Sequence, residues 1–250
     1  MTNNNIYFIA NWKMYGNLNS LNSVKKVIEL SKKKKFKNTN IIYCPPYTLL
    51  NDFSKLTKKT RVKVGAQNCH EFEFSGPFTG SVSPHMIASL GVKYIIIGHS
   101  ENRSIGENNS TINKKIISSI KQKLKIIFCF GETLKQKKRN ETNHVLKKQI
   151  SEGLKNIKKI DNILFAYEPV WSIGTGVVPK ISDLQIQMRI LKKFISKKFK
   201  SKNPVLLYGG SVNQKNAILF KQINEIKGFL VGGASQNSNK FIDIIKKTII

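Results

Sequence analysis

Eight short apolar runs, each ending in a polar or glycine-bearing turn and each separated from the next by an amphipathic stretch, constrain this chain more than any other feature. The runs span 6–10, 41–44, 62–66, 92–97, 125–130, 163–167, 205–208 and 229–231. Most are rich in Ile, Val, Phe or Tyr and alternate little, as parallel strands buried on both faces do. Between them, segments 21–31, 113–121, 145–157, 182–199 and 240–249 place apolar residues at helical spacing among lysines. In the first, Val24, Val27, Ile28 and Leu30 recur at that spacing. Ser182-Asp183 offers a cap for the fourth, and the second and seventh helices look short. Strand–helix alternation leaves a doubly wound sheet or a closed barrel. Even spacing, without a linker, a repeat of short period or a composition break, selects the α/β barrel. We expect a (β/α)8 barrel of eight parallel strands enclosed by helices, one catalytic domain over 1–250, a usual size for that fold.

Charge and cysteine usage narrow the setting. The formal charge is +29, and only Arg61, Arg103, Arg139 and Arg189 among the 43 basic residues are arginines. Nucleic-acid sites lean on arginine and gather charge on one face. Here the lysines run along most of the chain, so we read them as surface drift and expect no specific nucleic-acid partner. The excess charge still favours approach of an anionic substrate. Cys44, Cys69 and Cys129 show no ligand spacing, which suits a reducing compartment. Residues 1–5 are polar and lead straight into an apolar run, unlike a signal peptide. No apolar run approaches the ~20 residues of a membrane span. A cytoplasmic protein with no membrane partner is the expectation.

The active face of such a barrel lies at the C-terminal strand ends. The first strand is followed by Asn11-Trp12-Lys13, the fourth by Gly98-His99-Ser100-Glu101, the sixth by Glu168-Pro169, the seventh by Gly209-Gly210-Ser211 and the eighth by Gly232-Gly233. Either glycine turn alone serves as a plain tight turn. Two on adjacent strands favour an anion site, where backbone N–H groups approach phosphate and Ser211 adds a hydroxyl. Lys13, unlike most lysines, sits at a strand end, where a cation neutralises phosphate and developing charge. His99 enters the mouth, whereas His70, His85 and His144 have no such position. Glu168 ends a buried strand, a costly place for an unused carboxylate, and is the natural general base. Glu101 and Glu107 read as structural partners of Lys13 or another cation. Residues 169–179, with a proline at each end and an apolar centre, read as a lid that excludes water, with the Gly174 N–H offered to phosphate.

Taken in order, Asn11-Trp12-Lys13-Met14, Gly65-Ala66-Gln67-Asn68, Ile97-Gly98-His99-Ser100-Glu101, Ala166-Tyr167-Glu168-Pro169-Val170-Trp171, Ile173-Gly174-Thr175-Gly176, Tyr208-Gly209-Gly210-Ser211-Val212 and Val231-Gly232-Gly233-Ala234-Ser235 resemble the triose-phosphate isomerase family along nearly the whole chain. The resemblance implies an enzyme of glycolysis and gluconeogenesis that interconverts glyceraldehyde 3-phosphate and dihydroxyacetone phosphate through an enediolate, without a metal or organic cofactor. It implies Glu168 as the base, a neutral His99 that polarises the carbonyl, and Lys13 with Asn11 holding substrate. N–H groups of Gly174, Ser211 and Gly233, near Gly232, would bind phosphate. It also implies a homodimer in which loop 67–83 reaches the partner and Thr79 meets Asn11 and Glu101 of the neighbour.

The chain departs from that family at its implied dimer contacts. Asn102 stands where the family often has Arg, Ser81 where it often has Glu, and Tyr15 replaces a polar residue. The two lost charges typically pair, so no lone charge is stranded, but a weaker dimer is expected. Two other readings compete. Another phosphosugar barrel would share the phosphate turns but lack Lys13, His99 and Glu168 at these positions. A catalytically dead, polyanion-binding barrel would fit the charge but not the retained set.

Overall fold

The computed structural model describes residues 5–249; residues 1–4, part of the polar lead-in, lie outside the described residues. The order is β1 (Ile6–Asn11), α1 (Leu21–Lys32), β2 (Thr39–Cys44), α2 (Tyr47–Thr57), β3 (Lys63–Ala66), α3 (Pro84–Ser89), β4 (Tyr94–Ile97), α4 (Ser100–Ser104), α5 (Asn109–Lys121), β5 (Lys125–Phe130), α6 (Leu134–Lys138), α7 (Thr142–Gly153), β6 (Ile163–Tyr167), α8 (Ile181–Phe199), β7 (Val205–Tyr208), α9 (Ala217–Phe220), β8 (Ile226–Val231) and α10 (Ser238–Ile249). The strands close into one parallel barrel in sequence order, with β8 pairing back onto β1 through Tyr7–Gly228 to Ala10–Val231.

Two apolar layers result from the period-two pleat. Ile9, Ile42, Ile96, Ile127, Leu164, Leu207 and Leu230 fill the barrel interior. Phe8, Ile41, Phe128, Phe165, Tyr208 and Phe229 face outward and pack under the helices. Continued past each strand, this alternation decides which side chains reach the mouth. Ala166 points in and Tyr167 out, so Glu168 points in. Ile9 points in and Ala10 out, so Asn11 and then Lys13 follow inward, with Trp12 buried outside.

Several boundaries differ from the sequence expectation. The second helix is not short: α2 has 11 residues, because Leu49, Leu50 and Phe53 give it a buried face. The seventh helical segment, α9, is indeed brief. Ser182-Asp183 does not cap α8. The helix begins at Ile181 after Lys180, and Ser182 Oγ donates instead to the Asp183 carboxylate. Asp183 still lies in the first turn, where it complements the helix dipole. The α5 helix starts at Asn109, earlier than expected, because the Asn108 side chain accepts from the Thr111 N–H. The α7 helix stops at Gly153, and Asn156 takes a left-handed conformation (φ 66°) beyond it.

Candidate active site

The parallel strands bring the predicted residues to one end. Asn11, Lys13, His99, Glu168, Gly174, Ser211, Gly232 and Gly233 all line a single cavity of about 220 Å³. Its wall is completed by Gly209, Gly210 and Leu230 among others.

Glu168 lies at the centre and is 2% exposed. Burial pushes its carboxyl pKa up, against the opposing pull of His99, the Ser100 N–H, the Cys129 thiol and Lys13. Burial also pushes the Cys129 thiol up, and its Sγ donates to the Ile127 carbonyl at 3.9 Å. The Glu168 Oε1 stands 3.5 Å from His99 Nε2, while Oε2 has no hydrogen-bond partner among the described residues. Space for this side chain depends on Gly209: a Cβ there would come 2.7 Å from Glu168 Cγ.

His99 is aimed by its neighbours. Strict alternation after Ile97 would turn it outward, but Gly98 adopts φ +79°, a conformation that favours glycine. The Glu101 N–H then donates to His99 Nδ1 at 3.2 Å. The Glu101 carboxylate is also 3.6 Å from Nδ1. The N–H is the closer partner and a donor, so Nδ1 carries no proton. The ring is a neutral imidazole with its Nε2–H toward Glu168.

Lys13 has a left-handed backbone (φ 54°), a strained state for a residue with a side chain. Neighbours hold it there. Its N–H donates to Asn11 Oδ1 at 3.1 Å, and Gln67 Nε2 donates to its carbonyl at 2.8 Å. The ammonium donates to Glu101 at 2.5 Å, as the sequence expected, and Glu107 pairs with Lys115. The cation thus stands ready over the cavity with a partner it can leave.

Segment 169–179 arches beside this cavity. Ser211 Oγ donates to the Ser172 carbonyl at 2.6 Å and its N–H to Ser172 Oγ at 3.3 Å. The Ser211 N–H, expected to meet phosphate, is therefore engaged by Ser172 of this segment. Gly174 is exposed.

Sequence reasoning passed over the end of β5. Glu132, 1% exposed, accepts from Tyr167 OH at 3.2 Å and from Trp171 Nε1 at 2.8 Å, anchoring the start of segment 169–179. Burial raises its pKa too. The signal was present, since Gly131-Glu132-Thr133 follows a strand as the other site segments do. Cys129 was also missed, because nothing in a lone cysteine of an apolar strand points to a carboxylate. Among the described residues, no three His, Cys, Asp or Glu side chains gather as a metal site, and no helix is long and apolar enough to cross a membrane.

Comparisons with known proteins agree with this geometry. The family model for triosephosphate isomerase matches residues 6–248. The triosephosphate isomerase of Dictyoglomus thermophilum is 43% identical over 244 residues, covering 95% of this chain and 97% of that one. That of Saccharomyces cerevisiae is 40% identical over 245 residues, covering 96% and 97%. A crystal structure of triosephosphate isomerase from Bartonella henselae superposes with a TM-score of 0.88 at 30% identity, covering 97% of this chain and 98% of that chain. With its fold, its strand-end motifs and these matches in accord, the chain belongs to the triosephosphate isomerase family.

Proposed function

We propose that this enzyme interconverts D-glyceraldehyde 3-phosphate and dihydroxyacetone phosphate, serving glycolysis and gluconeogenesis, with Glu168, His99 and Lys13 as its catalytic residues. One observation carries the assignment: a buried carboxylate with a free Oε2 shares a cavity with the Nε2–H of a neutral imidazole and with an ammonium group. Glu168 removes a proton from the carbon beside the carbonyl. The developing oxyanion is met by the His99 Nε2–H and by Lys13, donors fixed before the charge forms. His99 passes a proton between the two oxygens, and Glu168 returns its proton to the adjacent carbon. These roles are carried over from the triose-phosphate isomerase family, which pairs a glutamate base with a neutral histidine. Asn11 holds Lys13 and contacts substrate. Backbone N–H groups at Gly174, Ser211 and Gly233, with Gly232 beside them, bind the phosphate. Closure of 169–179 releases Ser211 from Ser172 and excludes water, which suppresses loss of phosphate from the enediolate.

The reading extends to a homodimer in a reducing, cytoplasmic setting. Met14 (93% exposed) and Ile105 (84%) follow β1 and β4, and Phe72, Phe74 and Phe78 stand exposed on loop 67–83. These segments adjoin, since Gln67 bonds the Lys13 carbonyl and the Lys13 ammonium bonds Glu101. An apolar surface of this kind suits a second copy. Three free, buried cysteines support the reducing compartment.

A coupled assay of glyceraldehyde 3-phosphate conversion, run beside Glu168→Asp, tests the assignment. Withdrawing the base by one methylene should lower kcat about a hundredfold, the cost of roughly 1 Å of misplacement. A folded parent that does not turn over would refute the function. An undiminished Asp variant would refute the base.

A further inference from the structure

Parallel strands gather the helix-to-strand connections at the end of the barrel opposite the active site. These are 33–38, 58–62, 90–93, 122–124, 154–162, 200–204 and 221–225. Together they carry 15 Lys or Arg and only two carboxylates, Asp161 and Glu225. The segments at the mouth, 12–20, 45–46, 67–83, 98–108, 131–141, 168–180, 209–216 and 232–237, carry eight basic residues and seven carboxylates. The molecule is therefore polarised along its axis, nearly balanced at the mouth and strongly positive at the far end. All 15 bases are exposed. Among the described residues none of them forms an ion pair, and Glu225 is already taken by Arg189 at 3.4 Å.

Two open hollows indent this region. One, of about 520 Å³, is lined by Lys155, Lys158, Lys198 and Lys200. The other, of about 510 Å³, is lined by Lys55, Lys58, Lys63 and Lys93. Neither is lined by a carboxylate.

The side chains discriminate among polyanions. Arg61 is the one guanidinium among the 15, so the bidentate contacts typical of nucleic-acid recognition are nearly absent. Leu90 is the one exposed large apolar side chain in these connections, and Phe199, half-buried, is the one aromatic side chain lining either hollow, so bases have little platform on which to stack. Flexible ammonium groups spread over one end of a body act instead as point charges toward a plane of anionic head groups. We propose that this lysine-ringed end docks the enzyme reversibly on an anionic lipid surface, with lipid phosphates entering the two hollows and the active-site mouth facing away. Docking by charge needs no spanning segment. The proposal departs from the sequence expectation of no membrane partner, which rested on the absence of such a segment.

The test is co-sedimentation of the full-length protein with vesicles of phosphatidylcholine containing phosphatidylglycerol, against vesicles of phosphatidylcholine alone. Binding should be confined to the anionic vesicles and lost at ~0.5 M salt, where the screening length falls to about 4 Å. Replacing Lys58, Lys93, Lys155 and Lys158 together by Glu should lower the partition coefficient at least about a hundredfold, from about fivefold per lysine near the surface. Replacing Lys25, Lys26, Lys147 and Lys148 by Glu removes equal charge from the outer faces of α1 and α7 and should cost less than about tenfold. Retained isomerase turnover in both variants reports that they are folded. Equal losses would mean that net charge alone attracts vesicles and would overturn the proposal, as would no binding to anionic vesicles. A single-stranded RNA oligonucleotide that displaces the protein from vesicles at ~0.15 M salt would assign this end to nucleic acid instead.

Discussion

Exchanging Glu168 for Gln keeps the side chain's shape and removes its charge, which separates what the residue does for catalysis from what it costs the fold. In the native protein the carboxylate is buried and its Oε2 has no partner among the described residues. A buried unsatisfied group costs about 1–3 kcal/mol, and more when charged. The amide still leaves a neutral N–H2 poorly satisfied, so the expected net gain is about 1–2 kcal/mol at neutral pH. In a chain of this length that is a rise in Tm of about 2–8 °C. The pH dependence fixes the cause. The folded pKa of Glu168 is raised above the ordinary 4.5 by burial. Its contribution to stability is therefore full below 4.5 and is lost as pH rises through the raised value. The advantage of Glu168→Gln over the parent should thus be present at neutral pH and vanish below 4.5. Unfolding followed by circular dichroism at both pH values, at equal protein concentration, measures it. Turnover should fall about 10²–10⁴-fold, the usual worth of a general base. A variant less stable than the parent at neutral pH, or one whose advantage persists unchanged in acid, would refute the argument that burial of this charge strains the native state.

Three further outcomes follow from particular contacts. Gly209→Ala puts a Cβ 2.7 Å from Glu168 Cγ and must displace the base; kcat should fall about a hundredfold with the circular dichroism spectrum unchanged, and normal kinetics would show that the site accommodates the methyl. Trp12→Phe removes the donor to the Ser235 carbonyl at 3.1 Å inside the shell around the barrel; urea unfolding should report a loss of about 1–3 kcal/mol, and an unchanged midpoint would mean that water replaces the bond. Because Asn102 and Ser81 cannot form the ion pair that the family resemblance places at a dimer contact, sedimentation of the proposed homodimer should reveal monomer on dilution to nanomolar concentration, and a persistent dimer there would show that the exposed apolar residues of loop 67–83 suffice.

The barrel and most of its mouth were legible in the order of residues alone. Eight apolar runs can be buried on both faces only if helices cover them, and a period of two then fixes which residues after β1 and β6 point inward. The inward aim of Asn11, Lys13 and Glu168 could be read for that reason, and the paired glycine turns after β7 and β8 marked the end of the barrel where we propose that phosphate binds. Other features needed three dimensions. The tautomer of His99 depends on an N–H donated by Glu101, and its aim depends on the φ of Gly98, so neither follows from alternation. The raised pKa of Glu168 comes from surroundings contributed by β5, β6 and the turn after β7, which lie far apart in the chain. The strand-end position of Glu132 is legible in sequence, but its partners are not, because Tyr167 and Trp171 converge on it from another strand and the loop beyond. The lysines changed meaning most. Spaced along the chain they look uniform, but parallel strands carry every second connection to the same end of the barrel. Like charges that are dispersed in sequence are thereby stacked on one surface, and only closure of the barrel decides which surface that is.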